Sequence, residues 1–201
     1  EFGGTGTGTL MTLVAIEELA KVCGTTSTIL AVQELGSLPI RLAGNAEQKA
    51  EHLPKIARGE IRWCQGYSEP QAGSDLASLQ MSAVADGDDF VLNGSKIWTS
   101  NAHRADYLIA IFRTSPPTKE NRRHGLTSFL VDMKNTKGIK CNPIEQLSGL
   151  REFNEVVFTD AFIPDSHQLG EVDGAWKQAT SELAYERSGP ERFLETYAVL
   201  P

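Results

Sequence analysis

The sequence predicts an α+β fold in three parts: an N-terminal helical segment, a middle β-barrel or β-sandwich domain, and the start of a C-terminal helical bundle. Three observations predict it. Apolar residues recur at helical spacing through the first 58 or so positions. From Ile61 to about Ile163 the pattern changes to short strand-like runs separated by turn residues. After Gly174 helical spacing returns. No helices alternate with the strands, which argues against a doubly wound parallel sheet.

The elements follow in order. In "LMTLVAIEELAKV", Leu10, Leu13, Val14, Ile16 and Leu19 lie near helical spacing, and Cys23-Gly24-Thr25 punctuates the pattern. "STILAVQELGSLPIRLAG" is apolar on all sides over part of its length and is expected to be a buried helix. Asn45 offers an N-cap, with Gln48 completing a capping box, and Gly59 closes the helix. Pro54 inside that helix is expected to kink it or divide it. In the β region, Gly87-Asp88 marks a hairpin and Asn93-Gly94 a second turn. "YLIAIFRT" and "LTSFLVDM" are continuous apolar runs, as buried strands are. "IKCNPIEQL" and "FNEVVFTDAFIP" complete the series. Beyond "GEVDG", Trp176, Ala179, Leu183 and Tyr185 mark one apolar side of a helix, which Gly189-Pro190 interrupts. The expected division is 1–59, 60–168 and 169–201.

Composition limits the function classes. The chain has 201 residues and a net charge of −7, the wrong sign for a nucleic-acid footprint. Its one basic cluster, "KENRRH" from Lys119 to His124, reads as a solvated loop. No apolar run is long enough to span a membrane. The three cysteines have no CxxC spacing, as expected of reduced thiols in the cytoplasm. The four histidines form no metal-binding pair. The Gly-rich start "EFGGTGTGTL" lacks the GK[ST] of a phosphate loop.

Four strings carry a resemblance: "WCQGYSEPQAGSDLASL", "LNGSKIWTSNAHRADY", "EFNEVVFTDAFIP" and "LAYERSGPERF". In this order, around a β-rich middle, they make the chain similar to the acyl-CoA dehydrogenases, in particular the bacterial branch. The resemblance implies an N-terminal helical domain, a middle β-domain and a C-terminal four-helix domain, with FAD as cofactor. It also implies that helix precedes "EFGG" and that most of the C-terminal domain follows Pro201. The implied reaction is α,β-desaturation of an acyl-CoA thioester. A glutamate removes the α-proton and a hydride passes to flavin N5, so the site needs a desolvated base and donors for enolate charge.

The resemblance also implies residue roles. Gln65, Tyr67 and Ser68 stand where a strand meets the flavin ring through its backbone. Gly73 and Ser74 stand at the pyrophosphate, where glycine allows close backbone approach. Trp98 stands where a tryptophan packs on the flavin, and Ser100 where a hydroxyl faces N5. Glu186, in the pair Glu186-Arg187, matches the base of a minority of the family. The alternatives are a surface ion pair at Glu186 and a base in the C-terminal region beyond Pro201. Glu182, one turn earlier, would raise the pKa of Glu186 if both were buried together. Residues around Leu30 to Leu38 are expected to line the acyl pocket. The implied acceptor is an electron-transfer flavoprotein, and the implied assembly a homodimer or tetramer, or a heteromer. An acyl-CoA oxidase, a flavin monooxygenase and a non-catalytic subunit of a heteromeric dehydrogenase are the competing readings.

Overall fold

A computed structural model describes residues 2–190, 193 and 194; the side chains of 33–35 and 185–188 lie outside that description. Four helices come first: α1 (Gly8–Ala20), α2 (Gly24–Ala31), α3 (Gln33–Ala43) and α4 (Ala46–Ala57). The segment expected to be one buried helix is thus two, joined at Val32. The Asn45 capping box is formed in both directions. Gln48 N donates to Asn45 Oδ1 at 2.8 Å, and Asn45 N donates to Gln48 Oε1 at 3.1 Å. The Gln48 amide also donates to the carbonyls of Ser166 and Gln168, which satisfies a buried polar side chain.

Pro54 does not divide α4. A proline there removes one helical hydrogen bond, but Leu53 and Ile56 on either side of it pack with Ile109, Leu130 and Leu169, and that burial holds the helix together.

The middle of the chain forms eight strands: β1 (Trp63–Gly66), β2 (Ala83–Asp86), β3 (Asp89–Ser100), β4 (Tyr107–Arg113), β5 (Leu126–Asp132), β6 (Ile139–Ile144), β7 (Phe153–Pro164) and β8 (Gln168–Leu169). They make two four-stranded sheets, ordered β1-β4-β5-β8 and β2-β3-β7-β6. Among the described residues the sheets do not close, so the barrel alternative gives way to two packed sheets. One core cluster draws from both, with Leu108, Ala110, Phe112, Phe129 and Val131 from the first sheet and Leu92, Val156, Phe158 and Ile163 from the second.

The first sheet is buried on both faces. Successive residues of β4 alternate: Leu108, Ala110 and Phe112 face the second sheet, Ile109 faces α3 and α4, and Ile111 faces α5 (Ala175–Ser188). This is why β4 and β5 read as continuous apolar runs rather than alternating ones.

The predicted Gly87-Asp88 hairpin joins β2 to β3. Asn93-Gly94 is not a turn. β3 runs straight through it, paired with β7 on both sides, and the extra residue is taken up as a β-bulge. Gly94 has φ +130°, a conformation glycine tolerates. Asn93 exchanges two hydrogen bonds with Asp160 across the strands, at 3.1 and 2.9 Å. A positive-φ glycine after asparagine serves a bulge as well as a hairpin, which is why the dipeptide misleads.

Candidate functional site

β1 is an edge strand, paired in parallel with β4 only. One of its two rows of N–H and C=O groups therefore points away from the sheet. That edge borders a cavity of about 800 Å³, lined also by β3, by the 73–76 turn and by residues of α3 and α5. The volume is within the roughly 300–1,000 Å³ of small-molecule and cofactor sites.

All seven residues singled out for cofactor contact line this one cavity: Gln65, Tyr67, Ser68, Gly73, Ser74, Trp98 and Ser100. β1 itself ends at Gly66, so Tyr67 and Ser68 lie just beyond it. Val32 and Gly36 line the cavity too, within the segment expected at the acyl pocket. A Cβ on Gly36 would lie 2.9 Å from Trp63 Cβ, so only glycine lets α3 approach so closely here.

Trp98 is the most unusual residue of the wall. It sits at φ 59°, in the left-handed region that a bulky aromatic rarely adopts. A second register shift in the β3–β7 pairing, between Lys96 and Thr99, accommodates it. Its side chain remains 59% exposed, beside the cavity. The ring meets Phe153 edge-on at 6.4 Å between centroids, and most of the residue stays open to the cavity side, so the cost of the positive φ is not repaid by burial. Behind it, buried Asn154 donates to Thr99 O at 3.1 Å and holds the bulge in place. At the far end Gly73 leaves open space: no heavy atom lies within 4 Å of where a Cβ would sit. Ser74 follows directly, exposed. An aromatic platform, an edge of free backbone groups and a small-residue turn with a hydroxyl fit a flat ring system joined to a phosphate chain.

The sequence did not single out what pins the two walls together. Lys96 is fully buried, and its Nζ donates to Glu69 Oε1 at 2.8 Å and to Ile111 O at 2.6 Å. It also lies 4.9 Å from the Phe112 ring centroid. Glu69 is buried as well and accepts from Gln71 Nε2 and from the backbone N–H groups of Gln80 and Met81. Burial pushes the Lys96 ammonium down to about 8, against the pull of Glu69. Burial also opposes ionisation of Glu69, but Lys96 and the two N–H groups outweigh it and keep the carboxyl below its ordinary value. Ser68 precedes Glu69, and Ile97 follows Lys96. Ile97 N donates to Ser68 O at 2.9 Å, so the ion pair and this bond fix one wall against the other. The available signal was a lysine at an inward position of a strand.

Glu182, on α5, is 2% exposed. It accepts from Gln65 Nε2 and from the Tyr67 hydroxyl, the latter at 2.8 Å. The backbone of Glu186 lies in the last turn of α5, and its side chain falls outside the described residues. The basic loop is exposed, as expected, but not merely solvated. Arg122 pairs with Asp75 at 2.7 Å and Arg123 lies over the Trp176 ring at 4.6 Å. Among the described residues, no helix is long and apolar enough to cross a membrane.

Comparison with known proteins places this geometry. The acyl-CoA dehydrogenase N-terminal domain matches residues 1–60, and the acyl-CoA dehydrogenase middle domain matches residues 64–161. Acyl-CoA dehydrogenase FadE26 of Mycobacterium tuberculosis is 35% identical over 187 residues, 93% of this chain and 46% of its own length. Acyl-CoA dehydrogenase FadE34 of the same organism is 43% identical over 144 residues, 72% of this chain and 20% of its own. The solved structure of butyryl-CoA dehydrogenase from Megasphaera elsdenii superposes with a TM-score of 0.82 at 29% identity, covering 98% of this chain and 52% of that one. The chain thus spans about half or less of the length of these relatives. It belongs to the acyl-CoA dehydrogenase family, whose members are FAD-dependent flavoproteins.

Proposed function

We propose that this chain is the FAD-binding part of an acyl-CoA dehydrogenase that desaturates an acyl-CoA thioester between its α and β carbons. The observation that carries this reading is the convergence of seven cofactor candidates, distant in sequence, on one cavity built around a strained, exposed tryptophan. FAD, when bound, supplies the hydride acceptor for the β-carbon. The chain's own residues do the rest. The outer edge of β1 at Gln65, with Tyr67 and Ser68, offers backbone groups to the polar edge of the ring. Ser74 and the open approach at Gly73 receive the pyrophosphate. Trp98 covers the ring and Ser100 places a hydroxyl beside its reactive edge. Glu186 takes the α-proton, and the family resemblance at Glu186-Arg187 supports that role. In this reading 1–59, 60–168 and 169–201 are three domains or parts of domains. The assembly is a homodimer or tetramer, and an electron-transfer flavoprotein is the acceptor.

The test is anaerobic bleaching of the visible flavin band by butanoyl-, octanoyl- and hexadecanoyl-CoA, in the full-length protein. Removing a general base costs about 10²–10⁴ in rate, so Glu186→Gln is expected to retain FAD and bleach at least about a hundredfold more slowly. Bleaching at the wild-type rate would exclude Glu186 as the base. Rapid direct reoxidation of the reduced protein by oxygen would identify an oxidase instead.

A further inference from the structure

One carboxylate beside the cavity has no part in the reaction as described. Glu182 is buried, and a buried carboxylate is costly unless strong hydrogen bonds hold it. Its two oxygens accept from two different cavity-lining residues, Gln65 and Tyr67. Leu183, the next residue of α5, lines the same cavity. Packing alone does not call for this arrangement. Ala175 and Ala179, earlier on the helix, dock α5 against Ile111 and Leu126 with apolar contacts only. An apolar side chain at 182 would extend that contact without burying a charge. A carboxylate between two fixed donors adds direction: it sets how far along its axis α5 lies, and how it is rotated, relative to β1.

We propose that Glu182 is a positioning residue. Through Gln65 and Tyr67 it locks α5 to the wall of the cavity, so that the next turn of the helix, which carries Glu186, is held at a fixed distance from whatever lies against that wall. This rests on the reading of Glu186 as the base. Residues one turn apart share a helix face, and a turn advances about 5.4 Å. A shift of α5 at Glu182 is therefore carried to Glu186. A misplacement of about 1 Å at a reacting group costs on the order of 10²-fold in rate. Glu182 does not itself touch the substrate, so the loss falls on kcat rather than KM.

The test uses the full-length protein with Glu182→Leu and Glu182→Gln. Hydrogen–deuterium exchange needs no substrate. Glu182→Leu is expected to speed exchange of the α5 amides after residue 182 and of residues 65–68 together, and to leave β5 and β7 unchanged. With the acyl-CoA that bleaches wild type fastest of the three above, Glu182→Leu retains FAD and slows bleaching roughly 10–100-fold at nearly unchanged KM. Glu182→Gln recovers most of that rate, because the Gln65 amide can turn over and offer its oxygen. Unchanged exchange in α5 overturns the proposal. So does a Glu182→Leu protein that bleaches like wild type, and so does loss of cooperative melting in both variants, which would make Glu182 a folding residue only. The underlying reading fails by a different result: wild type without flavin, or Glu186→Gln that bleaches normally.

Discussion

Replacing Lys96 by Met removes the positive half of a fully buried ion pair and keeps a side chain of similar length. Glu69 would then hold a charge at the centre of the fold with no cation in direct contact, only the electrostatic pull of Arg113 and hydrogen bonds from Gln71 and the N–H groups of Gln80 and Met81. The Ile111 carbonyl would also lose its donor. Breaking a buried pair by removing one partner costs about 3–5 kcal/mol. At this chain length each kcal/mol lowers Tm by about 2–4 °C, so Lys96→Met should melt roughly 6–20 °C below wild type. Adding Glu69→Gln removes the stranded charge. The double variant should therefore be more stable than Lys96→Met alone, with a coupling well above the roughly 0.5 kcal/mol expected of independent sites. Arg151, which meets Glu145 at 2.6 Å with both side chains largely exposed, is the control. Its loss should cost no more than about 1 kcal/mol. Thermal and urea unfolding of these proteins, with Glu69→Gln alone completing the double-mutant cycle, measure these differences. A Lys96→Met loss as small as that at Arg151 would refute the argument that this pair fixes the cavity walls.

Three further outcomes follow from the same structure. Asn45→Ala removes the side-chain half of the α4 capping box and should cost about 1 kcal/mol, measured by urea unfolding. Burial holds His52 below its ordinary value. As pH falls below about 6.5, the unfolded chain therefore takes up a proton that the folded chain resists. Stability is full above that pH and is lost below it, by at most about 1.4 kcal/mol per pH unit from this site. His52→Phe keeps an aromatic ring against Trp63 and Tyr107 and should flatten the slope between wild-type urea curves at about pH 7 and pH 5. Trp98→Gly, which relieves the positive φ and removes an exposed indole, should leave Tm unchanged or raised. A large fall in Tm would mean that Trp98 is a core residue after all.

Local features were legible in the sequence. The Asn45 box, the Gly87-Asp88 hairpin and the two-sided burial of β4 depend on residues close in the chain, and periodicity reports them. The cofactor candidates were legible only through the family resemblance, because nothing in "KIWTS" by itself announces a bulge that turns Trp98 outward. Sheet closure was not legible. A barrel and a sandwich use the same short strands, and the difference lies in whether distant edges meet. Nor were the polar locks. Lys96 and Glu69 are 27 residues apart and Gln65 and Glu182 are 117 apart, so neither pairing leaves a spacing pattern. Asn93-Gly94 shows the opposite limit. Read as a turn, it is a bulge: Gly94 takes a positive φ, but pairing with β7 on both sides keeps the strand running through it.

In the proposed reading the cavity between β1 and the β3 bulge receives FAD. The most direct measurement is titration of FAD into apoprotein of the full-length chain, wild type beside Trp98→Ala. Wild type is expected to bind one FAD per chain. Trp98→Ala is expected to bind about tenfold more weakly, from loss of roughly 1.4 kcal/mol of aromatic contact. No FAD bound by wild type, or equal affinity in the two proteins, would contradict that reading.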